Sequence, residues 1–227
     1  VTYYFLATIF FVTLLIATAI LVFYVLQPKI LTGKISKLTK FYILWLVLYG
    51  IFILLFTGPT DMKIYPSQEE SPYKLPWKSG ISRFVAQGNR SFTSHRDFHE
   101  YAWDFVMPNG TEILAVRDGR VVEIEDSFDG IGFKSNFIIV EHDDGTKSAF
   151  AHIQKHGALT KIGDIVKQGQ PIALSGMVGQ TIFPHVHFYV IGKDGNSSIP
   201  VSFREVPGGV PFAGHIYTSQ NDESSKQ

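Results

Sequence analysis

Two kinds of hydrophobic pattern divide the chain. From Val1 to Leu26 no residue carries a charge, and from Phe41 to Gly58 the chain is again uncharged. As helices these runs would be about 39 and 27 Å long, against a hydrocarbon core of about 30 Å. Both are expected to span a membrane as α-helices, with Tyr3, Tyr4, Tyr24, Tyr42 and Trp45 near their ends, where aromatic belts form. The first run is expected to stay uncleaved. It is too long for a signal peptide, lacks a basic leader, and carries its small-x-small triplet, Ala17-Thr18-Ala19, inside the apolar stretch.

Between the runs, Gln27 to Lys40 holds Lys29, Lys34, Lys37 and Lys40 and no acid. The positive-inside rule places this loop, 27–40, in the cytoplasm and everything after Gly58 outside it. Residues 1–58 therefore read as a helical hairpin anchored in the lipid bilayer. No charge lies within either span, so nothing points to transport.

The pattern then changes twice. Residues 59–80 contain Pro59, Pro66, Pro72 and Pro76 among scattered charges and read as an extended linker. From Ile81 short β-type runs alternate with Gly, Asn and Asp punctuation. Gly110 to Glu125 predicts two strands broken at Asp118-Gly119. Asn136–His142 and Thr146–His152 predict a hairpin around Asp143-Asp144-Gly145. Pro171–Ser175 and His185–Ile191 predict two more strands. No segment past residue 80 has a helical period, so 81–218 is expected to be an all-β domain, with 219–227 a disordered tail.

Charge sharpens this division. The chain has 20 basic and 20 acidic residues, but four of the lysines lie in the first 58, which leaves 16 basic against 20 acidic beyond them. The outer part is thus slightly acidic, and a nucleic-acid partner is excluded. There is no cysteine, so disulfides, thiolate metal sites and Cys nucleophiles are excluded too. A metal would have to be held by the eight histidines and the carboxylates.

His185-Val186-His187 is the most informative tripeptide. On a strand its two imidazoles share a face, with Cα atoms about 7 Å apart, so both can reach one metal or one can bind while the other acts on water. Pro184 restrains the entry to that strand, and Gly176, Gly179 and Gln180 make a loop able to approach a ligand closely. Asp104 sits in the apolar run Tyr101-Ala-Trp-Asp-Phe105, where a bare carboxylate is costly to bury and needs a cation or hydrogen-bond donors. His95 and His99 both precede it closely enough to share a site. His99-Glu100 begins like a zincin HExxH motif, but Trp103 stands where the second histidine is required. His152 ends a strand on which Phe150 and Ser148 share its face. His142, His156 and His215 read as structural or surface histidines.

In their order along the chain these elements resemble the lysostaphin/LytM-type zinc endopeptidases of peptidoglycan. The similarity runs from about residue 90 to 192. It is carried by Ser94-His95, Tyr101–Thr111, Ala115–Val121, Ala151-His152-Ile153, Ile162–Ala173 and Pro184-His-Val-His-Phe188. The resemblance implies a LytM-like antiparallel β-sandwich or sheet core. It also implies one zinc ion per chain held by His95, Asp104 and His187, and catalytic roles for His185 and His152; His99, five residues from Asp104, is the alternative ligand, although the Ser-His context favours His95. Two imidazoles and a carboxylate leave a tetrahedral position for water.

The chain departs from the family pattern in three places. The His95–Asp104 spacing is longer than the usual HxxxD, Gln180-Thr-Ile-Phe183 replaces Ser-Thr-Gly, and Phe150 stands where Tyr is common. The expected activity is hydrolysis of peptidoglycan peptide bonds, outside a bacterial cytoplasmic membrane. Two rivals are weaker. A non-hydrolytic scaffold that activates another wall enzyme usually lacks ligands that are present here. A biotinyl-carrier reading of Gly163–Ala173 lacks a modifiable Lys in a tight turn.

Overall fold

A computed structural model of the chain describes residues 62–91 and 93–222, together with Lys40, 43–48 and Gly50. The last three groups are helical. The rest of the expected membrane hairpin 1–58, including the loop 27–39, lies outside the described residues. Among the described residues no helix is long and apolar enough to cross a membrane. The chain divides into two compact units, 1–53 and 54–227, and every described strand lies in the second.

That unit is almost wholly β. Its strands are β1 (Ser82–Gln87), β2 (Trp103–Val106), β3 (Glu112–Leu114), β4 (Gly119–Glu125), β5 (Phe137–Glu141), β6 (Lys147–Ala151), β7 (Ile153–Ala158), β8 (Ile165–Val166), β9 (Pro171–Ser175), β10 (His185–Ile191) and β11 (Ile216–Thr218). Eight form one sheet in the order β11-β1-β2-β10-β6-β5-β4-β8, and β3-β9-β7 form a second. Each named pair is antiparallel. The predicted hairpin is β5–β6, closed by Gly145 at φ 81°, a left-handed conformation that glycine adopts without steric cost.

Alternation along the central strands decides which face does what. Trp103, Phe105, Val186, Phe188, Val190 and Phe150 are fully buried and share one apolar core with Ile113, Ile153 and Ile172 of the smaller sheet. The rings of Trp103, Phe105 and Phe188 pack about Phe203, with centroids 5.3–6.1 Å from it. Removing one such ring typically costs about 3–5 kcal/mol. The residues between them, Asp104, His185, His187 and Tyr189, therefore face the other way.

Three expectations change. Part of the supposed linker belongs to the domain: Tyr65, Tyr73, Leu75 and Trp77 are in the core. The alternation Tyr73, Leu75, Trp77 is a strand-like signal hidden by the flanking prolines. Backbone bonds from Lys74 N to Val116 O (2.9 Å) and from Leu114 N to Pro76 O (3.0 Å) tie the segment down. The expected tail also begins inside the fold. Ser219 and Asn221 are buried, and Asn221 Nδ2 donates to the carbonyls of Leu75 and Ala115 at 2.9 and 3.1 Å. Finally, Phe150 and Ser148 do not share a face with His152. Both side chains are fully buried on the core side, and His152 leaves that parity through a left-handed backbone at φ 65°.

Candidate metal centre

Strand register builds the first half of the site. His187 of β10 pairs directly with Asp104 of β2 on one side and with Ala151 of β6 on the other. Directly opposed residues in antiparallel strands have Cα atoms about 4.5–5.5 Å apart, so the two side chains meet without any loop. His187 Nδ1 lies 2.8 Å from Asp104 Oδ1. His95 arrives from the loop after β1 and is fully buried. Its Nδ1 is 2.8 Å from the Gly88 carbonyl, and its Nε2 is 3.2 Å from the same Asp104 oxygen.

The Gly88 contact fixes the tautomer. A carbonyl only accepts, so Nδ1 carries a proton and Nε2 is the nitrogen that points at a carboxylate oxygen. Two electron-rich atoms at 3.2 Å are stable only with a proton or a metal cation between them. The ligating atoms of His95, Asp104 and His187 all lie within 4.8 Å of one another. This donor set fits a divalent cation of borderline softness: imidazole nitrogens and a carboxylate, with no thiolate.

The electrostatics favour the ligating protonation state. Burial alone would raise the Asp104 carboxyl, but His95, His185 and His187 outweigh it and hold it well below the usual carboxylate range. Burial pushes His187 down to about 4 despite the neighbouring carboxylate. Neutral imidazoles beside an ionised carboxylate are what a metal site requires.

His185 and His152 stand next to this set with a shared design. His185 Nδ1 is 2.9 Å from Phe183 O and 3.1 Å from Thr181 Oγ1, which leaves its Nε2 3.4 Å from Asp104 Oδ1. Burial opposes charge on this ring, yet the Asp104 carboxylate prevails and raises its pKa. His152 Nδ1 is 2.8 Å from Val178 O and 3.2 Å from Ser135 Oγ, and the His152 and His185 ring centroids are 4.7 Å apart. Burial, with help from His185, pushes His152 down to about 4. Both rings therefore carry the proton on Nδ1 and offer Nε2.

Glycines hold this arrangement close. A Cβ on Gly176 would meet Gln154 N at 2.5 Å and His152 O at 2.8 Å, and one on Gly179 would meet Ser135 Cβ at 2.8 Å. The loop after β9 thus lies directly against the backbone that carries His152.

The other histidines fall apart from this group. His99, in a 3-10 turn Asp97–His99, lies outside the converging set, with its Nδ1 3.4 Å from His187 Nε2. His156 and His215 are exposed, and His142 is buried on the core side with both nitrogens bonded. Five supporting groups were not read from the sequence: the Gly88, Val178 and Phe183 carbonyls, Ser135 and Thr181. Backbone carbonyls leave no residue-type signal. Ser135 and Thr181 sit in loops whose path only the fold reveals.

The sheet supplies Asp104 and His187 and the loop after β1 supplies His95, and with His152 and His185 beside them they form a candidate metal centre. Residues 98–200 match the family model described as Peptidase family M23, which supports an M23-type peptidase domain over that stretch. His95 lies three residues ahead of the match, so its place in the donor set rests on geometry.

Peptidoglycan DD-endopeptidase ShyB of Vibrio cholerae is 34% identical over 91 residues, covering 40% of this chain and 20% of that protein. Glycyl-glycine endopeptidase ALE-1 of Staphylococcus capitis is 36% identical over 119 residues, covering 52% of this chain and 32% of that protein. A zinc-containing peptidase from Vibrio cholerae of known crystal structure aligns at TM-score 0.44 and 27% identity, over 58% of this chain and 39% of that one. The chain thus spans a third or less of these two curated relatives.

Proposed function

We propose that this chain is a membrane-anchored zinc endopeptidase that hydrolyses peptide bonds of cell-wall peptidoglycan. The observation that carries the reading is the convergence of His95, Asp104 and His187, with His152 and His185 beside them. The peptidoglycan DD-endopeptidase relative supports the substrate class, and the glycyl-glycine endopeptidase relative supports peptide-bond cleavage. Residues 1–58 would tether the domain to the outer side of a bacterial cytoplasmic membrane, a placement supported by the acid-free Lys loop of the sequence.

His95 through Nε2, Asp104 through a carboxylate oxygen and His187 through Nδ1 would hold the ion. When bound, the ion would supply Lewis acidity toward a water and the scissile carbonyl. His185 takes a proton at Nε2, where the Asp104 carboxylate stabilises the resulting charge. His152 is neutral with its Nδ1–H committed to Val178 O, so it too accepts at Nε2, and donates to an oxyanion or a leaving amine only after gaining a proton. Thr181 and Ser135 keep both rings from turning. A scaffold that had lost hydrolysis would have no need of this full set, which argues against the non-hydrolytic alternative.

Incubating purified sacculi with the full chain and identifying the released fragments by mass tests the reading. New peptide termini that vanish with a chelator and in His185→Ala are expected. Intact sacculi at micromolar enzyme and added zinc would refute it.

A further inference from the structure

His187 meets Asp104 through Nδ1 at 2.8 Å, so its Nε2 faces away from the donor cluster. A neutral imidazole that ligates through one nitrogen carries its proton on the other, and that N–H needs an acceptor to hold the ring in orientation. In this structure the atom facing His187 Nε2 is His99 Nδ1, at 3.4 Å. His99 is not in the converging donor set, and it meets His187 at the ring nitrogen opposite the one that faces Asp104.

We propose that His99 is a positioning residue for the metal centre, accepting at Nδ1 a hydrogen bond from His187 Nε2 and so holding His187 with Nδ1 toward the metal. The proposal rests on the metal-peptidase reading above.

The surroundings fix His99 for this task. Asp97 adopts a left-handed backbone, φ 53°, and opens the 3-10 turn that carries His99. His99 N donates to Arg96 O at 3.0 Å, and Ala102 N donates to His99 O at 3.1 Å, which joins the turn to β2. Ser198 clamps the turn from both ends: its N–H donates to Phe98 O at 2.9 Å, and its hydroxyl accepts from Tyr101 N at 2.9 Å. The imidazole stands edge-on to Tyr189, 4.7 Å between centroids at 89°, and against Phe98 at 5.2 Å. Tyr189 lies two positions along β10 from His187, on the same face. One strand therefore supplies both the ligand and the wall against which its partner rests.

The test is a zinc dissociation constant, measured by competition with a metallochromic chelator on the full chain at one pH and ionic strength. His99→Phe keeps a ring against Tyr189 but has no acceptor. His99→Asn places an oxygen close to the Nδ1 position, whereas the oxygen of His99→Gln falls near Nε2. Loss of a partner behind a ligating histidine typically weakens metal binding about 10–100-fold. His99→Phe and His99→Gln are expected to fall in that range, with His99→Asn within about threefold of the parent and the metal-free melting temperature little changed. Should His99→Phe not fold, the Asn–Gln pair still separates the outcomes. Equal affinity in parent, Phe and Gln variants overturns the role of His99 while leaving the peptidase reading intact. Equal weakening in Asn and Gln reduces His99 to packing and overturns it as well. A parent chain that binds no zinc overturns both.

Discussion

The domain buries histidines in two places, and they differ in what their nitrogens face. His142 is 4% exposed, donates from Nδ1 to Asp118 O at 2.8 Å and accepts at Nε2 from the Ser148 hydroxyl at 2.7 Å. Tyr73 meets its ring edge-on at 5.7 Å, and Gly119 lies so close that a Cβ there would be 3.0 Å from Nδ1 and would collide with Glu141 O. Every polar atom of His142 is satisfied, and the group is closed. Around Asp104, ring nitrogens of His95, His185 and His187 crowd one carboxylate oxygen at 2.8–3.4 Å, while the other nitrogen of His95 is already taken up by the Gly88 carbonyl. Burial therefore does not mark a functional histidine. A buried ring whose two nitrogens both face acceptors with no proton to give does.

The largest effect expected from this contrast is at Asp104. Asp104→Ala removes the anionic donor, and zinc affinity should fall by more than about 100-fold, beyond what loss of an outer partner causes. Titration with a competing chelator checks this, and retained affinity would dissolve the distinction between the two regions. His185→Ala should keep zinc but lower peptide release by about 10²–10⁴-fold, the usual worth of a positioned acid–base group. Parallel loss of metal in that variant would make His185 a ligand instead.

Mutations around His142 should behave oppositely. Gly119→Ala drives a methyl into the Glu141 carbonyl and should cost about 1–3 kcal/mol or more in denaturant unfolding, with zinc stoichiometry unchanged. His142→Ala strands the Asp118 carbonyl and the Ser148 hydroxyl and should cost roughly 1–3 kcal/mol, again with metal binding intact.

A smaller effect concerns pH. Burial lowers the His142 pKa, so protons bind the unfolded chain more readily than the folded one. The stability contributed by keeping this ring neutral is full above its unfolded value of about 6.5, and is lost as pH falls from there toward the folded value. Metal-free unfolding free energies of the parent and His142→Leu at pH 8 and pH 5 should show a shallower acid loss in the variant. An identical slope would place the acid sensitivity elsewhere, with His152 and His187 as the next groups to examine.

Much of this site was legible in the sequence because it is made of neighbours in a strand ladder. His185-x-His187 announces two imidazoles on one face, and the apolar frame of Asp104 announces a carboxylate that needs a cation. The hairpin β5–β6 followed from its Asp-Asp-Gly turn. Parity misled at His152, because one left-handed residue reverses the face that counting assigns. The stretch 62–80 was misread because its prolines suggested a tether, while Tyr73, Leu75 and Trp77 carried the burial signal. The contact between His99 and His187 spans 88 positions and depends on a 3-10 turn, so no local pattern could announce it. The proposed hairpin 1–58 remains a reading of charge and hydropathy. Reporter fusions at residues 35 and 227 should report opposite sides of the membrane, and the same side for both would contradict the topology.

Metal content separates the two buried histidine groups. Zinc per chain should be measured by mass spectrometry on the detergent-purified full chain, the His142→Ala variant and the Asp104→Ala variant, after dialysis against a common zinc buffer. About one zinc is expected in the first two and essentially none in the third, since one buried histidine group is closed and the other is built around Asp104. A parent chain without zinc, or an Asp104→Ala chain that holds as much as the parent, would contradict that separation.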